Sequence, residues 1–445
     1  MFQDSVDPAM LRHHGDVEAR PGMLDFAVNV RGVAPPAWLR ARLAERLDDL
    51  GRYPSAEDEA AARAAVAARH GRDPEEVLLL AGAAEGFAML PRLAPRLAAV
   101  VHPSFTEPEL ALREAGVPVT RVILDRPYTL DPTLVPEDAD LVVLGNPTNP
   151  TSVLHPAATI EALRRPGRLV VVDEAFADAV ADPGGLTAAP GRPAGLEPPI
   201  SRSGLADPAA AGGPATQSGA AGPWPTIPAS AGPASAGPAS AGPASAGPVS
   251  AGPASAGAVS ASAASAGAAS AGAVSAGPLS PAEPESLASL SAPDVLVLRS
   301  LTKTWALAGL RCGYALGAPE VLARLSQGRP HWPLGTLQLE AIIATAAPAA
   351  VAESRREADR IAVERAAMIE RLTALGVDVH TPATGPFLLL AVRDGALVRK
   401  HLADRGIAVR RADTFPGLGP DHLRVAVRGP AEVDKLIEGL RAALW

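Results

Sequence analysis

The chain of 445 residues contains one cysteine, Cys312. A single cysteine excludes an internal disulfide and a metal site built from several thiolates, and it fits a reducing compartment. No run of about 18 or more residues has the apolar bulk of a membrane-spanning helix. The residues after Met1 lack the charged and then apolar pattern of a signal peptide. We therefore expect a cytoplasmic protein that has no membrane partner.

Runs of basic residues are also absent. The 40 lysines and arginines are scattered along the chain, and the formal net charge is −8. Proteins that bind nucleic acids present clustered positive charge on one face or along one helix. Nucleic acid is therefore not an expected partner of this chain.

One long segment has almost no side chains to bury. Residues 208–282 contain no charged residue and no histidine. Residues 228–277 repeat a five-residue unit of proline or alanine followed by alanine or valine, serine, alanine and, in most copies, glycine. Such side chains cannot offset the entropy lost on ordering. We predict that residues 183–293 form a disordered insert without a catalytic role.

The rest of the chain alternates short apolar runs with helix-like segments. Apolar runs are typical of strands buried on both faces, and helices between them indicate a mostly parallel sheet. The predicted strands are 77–80, 99–101, 122–124, 141–144, 169–172, 295–298 and 312–316. We predict an α/β fold whose seven-stranded, mostly parallel sheet lies in residues 52–182 and 294–324. A smaller α+β domain is predicted for residues 325–445, with the segment 1–51 packed against it.

Lys303 follows one of these strands in the sequence SLTKTWALAGLRCGY, residues 300–314. Ser300 and Thr302 place hydroxyl groups before the lysine, and Arg311 follows it. A lysine among apolar neighbours can lose its proton and attack a carbonyl, whereas hydroxyls and an arginine suit a phosphate. The segment predicts a Schiff-base lysine beside a phosphate site. Taken alone, it also fits a surface lysine after a core strand.

Polar or small residues follow three other predicted strands. These are Asp173, Asn149 in the sequence NPTNPTS, and the group Gly82, Ala83 and Ala84. In open α/β sheets, ligands bind beyond the carboxyl ends of the strands. A carboxylate there can pair with a protonated ring nitrogen, and amides at a helix N-terminus suit a phosphate. A helix-capping aspartate and an ordinary Asn-Pro turn are the structural alternatives.

These segments resemble the motifs of fold-type-I pyridoxal phosphate (PLP) enzymes of the class I/II aminotransferase group. The nearest resemblance is to histidinol-phosphate aminotransferases and to the threonine-phosphate decarboxylase of cobalamin synthesis. The resemblance implies that Lys303 carries PLP, that Asp173 pairs with the pyridinium nitrogen and that Asn149 donates to the phenolic oxygen. It further implies that Phe105 stacks on the ring. The implied phosphate-binding residues are Gly82, Ala83, Ala84, Ser300, Thr302 and Arg311.

Three segments refine this resemblance. The sequence DEAF at 173–176 has Phe176 where many aminotransferases have a tyrosine. Ser152 stands where the Asn-Pro motif of the family ends in glycine. The sequence HHGD at 13–16 resembles the HGGN opening of the cobalamin-branch decarboxylases. Metal binding by the adjacent histidines and ordinary surface polarity are the alternatives, and we expect no metal site.

The resemblance extends to the substrate side and to a second subunit. The sequence HLRVAVR at 422–428 matches the motif whose arginine binds the substrate carboxylate, which gives Arg424. Arg428 would meet a second anion such as a substrate phosphate, and Asn29 resembles the substrate-side asparagine of the family. Tyr53 matches a tyrosine that reaches the cofactor phosphate of the partner subunit, so the resemblance implies a homodimer.

The expected substrate is a small amino acid, phosphorylated in some members of the family, that reacts at its alpha carbon. If Arg424 holds the carboxylate in the ring plane, the alpha proton leaves and transamination follows. If the carboxylate stands perpendicular to the ring, carbon dioxide leaves. Transamination is the first hypothesis and decarboxylation of threonine phosphate is the second. The third is a non-catalytic PLP-fold scaffold that uses the repeat as a tether.

Overall fold

The structure, a computed structural model, describes residues 8–13, 15–182 and 283–444. Residues 183–282 of the predicted disordered insert lie outside the described residues. The strands are β1 (Leu24–Asp25), β2 (Val77–Leu80), β3 (Ala98–His102), β4 (Val119–Ile123), β5 (Leu141–Gly145), β6 (Leu169–Asp173), β7 (Val295–Ser300), β8 (Gly313–Leu316), β9 (Asp378–Val379), β10 (Phe387–Ala391), β11 (Ile407–Ala408), β12 (Arg410–Arg411) and β13 (His422–Ala426). The α-helices are α1 (Pro8–Leu11), α2 (Ala37–Ala44), α3 (Ala56–His70), α4 (Ala83–Met89), α5 (Glu107–Glu114), α6 (Ala157–Glu161), α7 (Pro319–Ser326), α8 (Thr336–Ala346), α9 (Pro348–Ala374), α10 (Gly395–Asp404) and α11 (Pro430–Leu444). Among the described residues, none of the helices combines the length and the apolar character needed to cross a membrane.

The large domain is built on one sheet. Within the described ranges, seven strands pair in the order β2-β8-β7-β6-β5-β3-β4. Strand β8 runs antiparallel to both neighbours, and all other neighbouring pairs are parallel. This confirms the predicted α/β class and the mostly parallel seven-stranded sheet.

Alternate residues of the strands fill hydrophobic clusters on the two faces of the sheet. On β5, Val142 and Leu144 belong to one cluster, while Leu141 and Val143 belong to the other. The first cluster includes residues of α3, α6 and α8, and the second includes residues of α4, α5 and α7. Because each fully buried valine or leucine contributes roughly 1.5–3 kcal/mol, these apolar runs fix both the sheet and its helical cover.

The small domain has its own sheet and core. Strands β12-β13-β10-β9 form an antiparallel sheet. Its inward residues share a cluster with residues of α9, α10 and α11. The N-terminal segment joins this domain, since β1 pairs with β11 and the carbonyl of Phe26 accepts a hydrogen bond from the Ala426 N–H at 2.8 Å.

Two predicted boundaries need correction. Helix α8 was placed in the small domain, but Leu339 and Ile342 lie in the first cluster of the large domain. Residues 283–293 were assigned to the insert, yet Leu287 and Ala288 are fully buried in that same cluster. The segment 283–293 is rich in alanine and serine like the repeat, so composition did not reveal its packing.

Candidate active site

The carboxyl ends of five strands surround a cavity of about 420 Å³. These are the ends of β2, β3, β5, β6 and β7, which are parallel to one another and therefore finish at the same edge of the sheet. The predicted residues that line the cavity are Asn29, Ala83, Ala84, Phe105, Asn149, Asp173, Ser300, Thr302, Lys303, Arg311 and Arg424. Gly82, Tyr53 and Arg428 are not part of its lining. Chain segments far apart in sequence thus meet in one place.

Asp173 is the last residue of β6, and its side chain accepts a hydrogen bond from the backbone two residues later. Its Oδ1 accepts a hydrogen bond from the Ala175 N–H at 3.0 Å. Burial raises the pKa of Asp173 to about 7, although the Ala175 hydrogen bond and the charge of Lys303 act to lower it. A half-buried carboxylate with so little compensation suits a cationic partner in the cavity, such as a protonated ring nitrogen.

Lys303 lies in the turn that follows β7. Its backbone carbonyl accepts a hydrogen bond from the Arg31 N–H at 3.2 Å, which ties the turn to the N-terminal segment. The side chain is half-buried and lines the same cavity as Asp173. The structure therefore brings a primary amine and a carboxylate to one ligand-sized space.

Hydroxyls, an arginine and a helix start line the cavity near the lysine. The hydroxyls of Ser300 and Thr302 are 2.8 Å apart. Gly82 adopts a φ of 84°, and a Cβ at this position would lie 3.0 Å from Nη2 of Arg311. Glycine is needed there because it tolerates this backbone and leaves room for the guanidinium. Gly82 therefore shapes the site without lining it.

Sequence reasoning missed the support of the Gly82 loop. Glu85 accepts a hydrogen bond from the Ala81 N–H at 2.7 Å. Arg329 in turn donates to both carboxylate oxygens of Glu85 at 3.0 Å and to the carbonyl of Leu79 at 3.1 Å. Glu85 directly follows the predicted group Gly82, Ala83 and Ala84, but nothing in the sequence pairs it with a residue 244 positions away.

Asn149 and Arg424 contact each other across the cavity. Nη1 of Arg424 donates to Oδ1 of Asn149 at 2.9 Å, and Nη2 donates to the carbonyl of Ala27. Burial lowers the pKa of Arg424 to about 9, and the charge of Arg410 lowers it further. Its Nε has no hydrogen-bond partner among the described residues. This is a buried cation suited to an anionic ligand.

Arg410 was also missed. It is the cross-strand neighbour of Arg424 on the β12–β13 ladder and is 3% exposed. Its Nη2 donates to the hydroxyl of Thr414 and to the carbonyl of His13, each at 2.7 Å. The strand register that pairs the two arginines cannot be deduced from their spacing in the sequence.

The N-terminal segment supplies Asn29, and hydrogen bonds from Arg428 hold this segment in place. Oδ1 of Asn29 is buried and has no hydrogen-bond partner among the described residues. Arg428 donates to the carbonyls of Asp25 and Val28 at 3.0 Å and 2.7 Å. The structure thus does not bring Arg428 into the cavity. Instead, Arg428 holds the segment that carries Asn29.

Two further residues of the predicted motifs have informative positions. Phe105 lines the cavity and packs against Phe87, with ring centroids 6.0 Å apart. Tyr53 lies outside the cavity, is 74% exposed and stacks on Trp332 at 4.1 Å. The structure thus does not bring Tyr53 into the cavity of its own chain.

Glu107 is a cavity residue that the motifs did not assign. It begins α5, two residues after Phe105. Its charge acts to raise the pKa of Asp173. A glutamate at the start of a helix is common at surfaces, so no sequence pattern distinguished Glu107 as a site residue.

The family of the chain agrees with this geometry. The model of the family "Aminotransferase class I and II" matches residues 21–206 and 267–440. The chain belongs to this family. It is an aminotransferase-family enzyme, and pyridoxal 5'-phosphate is its expected cofactor.

Relatives and solved structures agree with the family. The chain is 44% identical to a histidinol-phosphate aminotransferase of Mycobacterium bovis over 96% of this chain and 89% of the relative. It resembles the fold of a Sinorhizobium meliloti histidinol-phosphate aminotransferase solved with pyridoxal 5'-phosphate, with a TM-score of 0.65, 19% identity and coverage of 99% and 94%. It also resembles the fold of a Porphyromonas gingivalis L-threonine-O-3-phosphate decarboxylase, with a TM-score of 0.61, 18% identity and coverage of 94% and 98%.

Proposed function

We propose that this aminotransferase-family enzyme transfers the amino group of a small amino substrate that carries a phosphate. One observation carries the proposal. Lys303 and Asp173 share a cavity with two neighbouring buried arginines, Arg424 in its lining and Arg410 beside it on the next strand. The amine and the carboxylate suit PLP, and the two guanidiniums suit the phosphate and carboxylate groups of the amino substrate and of a 2-oxo acid.

The cofactor fits the side chains of the cavity. Lys303 would hold PLP covalently, Asp173 would pair with its ring nitrogen, and Phe105 would face its ring. Its phosphate would bind the hydroxyls of Ser300 and Thr302, the guanidinium of Arg311 and the amides of Ala83 and Ala84. When bound, PLP supplies an electron sink for the bond that breaks at the alpha carbon.

The remaining chemistry belongs to protein groups. The Lys303 amine moves a proton to and from the alpha carbon as general base and acid. Arg424 would hold an anionic group of the substrate, which is the carboxylate of threonine phosphate or 2-oxoglutarate and the phosphate of histidinol phosphate. Asn29 offers a buried polar group on the same side. Asn149 is positioned by Arg424 and would donate to the phenolic oxygen of the cofactor. Phe176 brings no hydroxyl group to the cavity.

Decarboxylation of threonine phosphate is a second candidate because of the N-terminal histidine-glycine segment. Gly15 lines the cavity, and a Cβ there would meet the carbonyl oxygen of Ala27 at 2.4 Å. The carbonyl of His13 accepts a hydrogen bond from Arg410. His13 and Gly15 of this segment therefore lie beside Arg410 and the cavity, which supports the second candidate.

One experiment separates the two reactions. The purified enzyme with PLP is incubated with histidinol phosphate plus 2-oxoglutarate, and separately with threonine phosphate. Product masses are then measured. Glutamate formation from the first mixture supports transamination. If threonine phosphate loses carbon dioxide and the first mixture forms no glutamate, decarboxylation would replace transamination as the proposed reaction.

We further propose that the enzyme is a cytoplasmic homodimer. Tyr53, Trp332, Leu47 and Leu50 are large apolar or aromatic side chains that are each more than half exposed. A second copy of the chain would cover such side chains. Tyr53 would then lie near the cofactor phosphate that the second copy binds. Sedimentation equilibrium would test this, and a monomer at micromolar concentration with PLP bound would contradict it.

A further inference from the structure

A buried network of charged side chains adjoins the proposed cofactor site. Its members are Arg69, Arg299, Glu174, Asp178 and Glu283, and their side chains are at most 13% exposed. We call this group the arginine network. Glu174 directly follows Asp173, and Arg299 directly precedes Ser300. The network therefore begins one residue away from two groups of the cavity.

The two arginines share their carboxylate partners. Nη1 of Arg299 donates to Glu174 and to Glu283, each at 3.0 Å, and its Nη2 donates to Asp178. Nη2 of Arg69 donates to Asp178 at 2.6 Å and to Glu283 at 2.9 Å. Every carboxylate of the network thus contacts at least one guanidinium.

Arg299 extends the contact between two strands of the site. Asp173 on β6 pairs with Leu298 on β7, and the Glu174 N–H donates to the carbonyl of Leu298 at 2.9 Å. The Arg299–Glu174 ion pair lies one residue beyond this backbone pairing. It joins the end of the strand that carries Asp173 to the strand that leads to Lys303.

Glu174 is held from a third direction by the chain that follows residue 282. The Ser286 hydroxyl donates to Oε2 of Glu174 at 2.6 Å, and the Leu287 N–H donates to Oε1 at 2.7 Å. Asp178 and Glu283 flank residues 183–282, and both contact Arg69 and Arg299. The same two cations therefore contact the described chain on both sides of residues 183–282.

The network depends on its arginines for charge balance. Two guanidiniums face three carboxylates, while burial lowers the pKa of the neighbouring His70 to about 3 and keeps it neutral. Loss of the Arg299 guanidinium would leave the buried Glu174 without a cation and leave Asp178 and Glu283 with Arg69 alone, which drives local rearrangement or water entry. The rearrangement would reach Asp173 and Ser300 first because they are the adjacent residues.

We propose that Arg299 is a positioning residue of the cofactor site, which fixes the carboxyl end of β6 against the end of β7. It acts through Glu174 and Asp178 and touches neither cofactor nor substrate. The proposal rests on the proposed function, since it concerns the geometry in which Asp173 and Lys303 meet PLP.

The test compares Arg299→Met with Arg168→Met. Arg168 is a matched control because it is 3% exposed and lies at the opposite end of β6. Its guanidinium donates to the carbonyls of Pro136, Glu137, Ala139 and Leu163. Thermal unfolding of each apoprotein is recorded first. PLP is then titrated by its absorbance, and kcat and KM are measured on the holoenzymes.

Both variants should lower the melting temperature, whereas only Arg299→Met should change the cofactor site. We expect a rise of about tenfold in the Kd for PLP, an altered ratio of the cofactor absorbance bands and a lower kcat. If Arg299→Met does not fold, Glu174→Gln takes its place, because it keeps an acceptor for Leu287 and removes the charge.

The outcomes separate the inference from the proposed function. If the Arg299 variant matches the Arg168 variant in PLP affinity, spectrum and kcat, the positioning role is wrong. If the wild-type protein itself shows no absorbance with added PLP, the proposed function fails instead. A changed spectrum in Arg299→Met or Glu174→Gln with an unchanged spectrum in Arg168→Met supports the inference.

Discussion

Asp173, which is half-buried, and Arg424, which is buried, are charges of opposite sign on the lining of one cavity. Burial raises the pKa of the first and lowers that of the second. Each shift shows that the described neighbours compensate the charge only in part. A pyridinium nitrogen would complete the first charge and a substrate carboxylate the second. The charges of the two residues would thus be fully compensated only when the ligands are bound.

Asp173→Asn gives a pH test at this scale. The folded apoprotein holds the Asp173 proton up to a pKa of about 7, compared with the ordinary 3.8. Stability from this group is therefore present at low pH and is lost as the pH rises from about 4 to 7. We expect apo Asp173→Asn to gain stability relative to wild type across this window, by about 4 kcal/mol at most. Urea unfolding at several pH values measures it, and a constant difference would contradict the raised pKa.

Arg424→Ala tests the substrate side. A hydrogen bond to a charged group contributes about 1.5–3 kcal/mol, so we expect KM for a carboxylate substrate to rise roughly 10- to 150-fold. Arg371→Ala is the control, because Arg371 pairs with Asp434 on the surface. Steady-state kinetics on both variants decides the matter. An unchanged KM in Arg424→Ala would remove this residue from the substrate site.

Sequence reasoning selected those cavity residues that follow the end of a strand. Lys303, Asp173 and Asn149 each follow an apolar run, and parallel strands bring such ends together. Arg410 and Arg329 could not be found in this way. Their roles depend on the β12–β13 register and on a pairing with Glu85 across the fold. Tertiary packing decides both, and no local pattern records it.

The loop after β5 shows how an element adapts to an unusual residue. Ser152 adopts a left-handed φ of 64°, the conformation for which glycine is favoured. Its buried hydroxyl accepts a hydrogen bond from the Gly385 N–H at 2.7 Å, and its carbonyl accepts one from the Thr384 N–H at 2.8 Å. These contacts join a large-domain loop to the loop before β10.

Ser152→Ala keeps the strained backbone and leaves the Gly385 N–H without its partner. We expect a loss of about 1–3 kcal/mol in the free energy of unfolding. Ser152→Gly should lose less, because glycine relieves roughly 1–2 kcal/mol of left-handed strain. Urea unfolding of both variants measures the difference. Equal losses would show that the strain is not significant at this position.

Apolar strands were the most predictable elements. The runs 141–144 and 169–172 became β5 and β6 with one added residue each, Gly145 and Asp173. Helix α8 was placed in the wrong domain because it is buried on most sides, so its sequence shows no polar face that marks an orientation. Burial of this kind is decided by α3 and the sheet, which lie far away in sequence.

At the scale of the whole molecule, the insert should be separable from the enzyme. Deletion of residues 208–282 keeps Asp178, Glu283 and Leu287, which anchor the described chain on either side of residues 183–282. We expect turnover and PLP binding to stay within about twofold of the full chain, since closing a shorter loop changes the free energy by only about 1–2 kcal/mol. A deletion of residues 208–288 should lose both properties, because it also removes Glu283, Ser286 and Leu287. Equal behaviour of the two deletions would contradict the anchoring role.

The central claim is that Lys303 is the amine that binds PLP covalently. The holoenzyme is reduced with borohydride and digested, and the peptides are analysed by mass spectrometry. We expect the reduced cofactor on the peptide that contains Lys303, and no labelled peptide from Lys303→Ala. Label on Lys400 or Lys435, or no label on the wild-type protein after PLP saturation, would contradict the account.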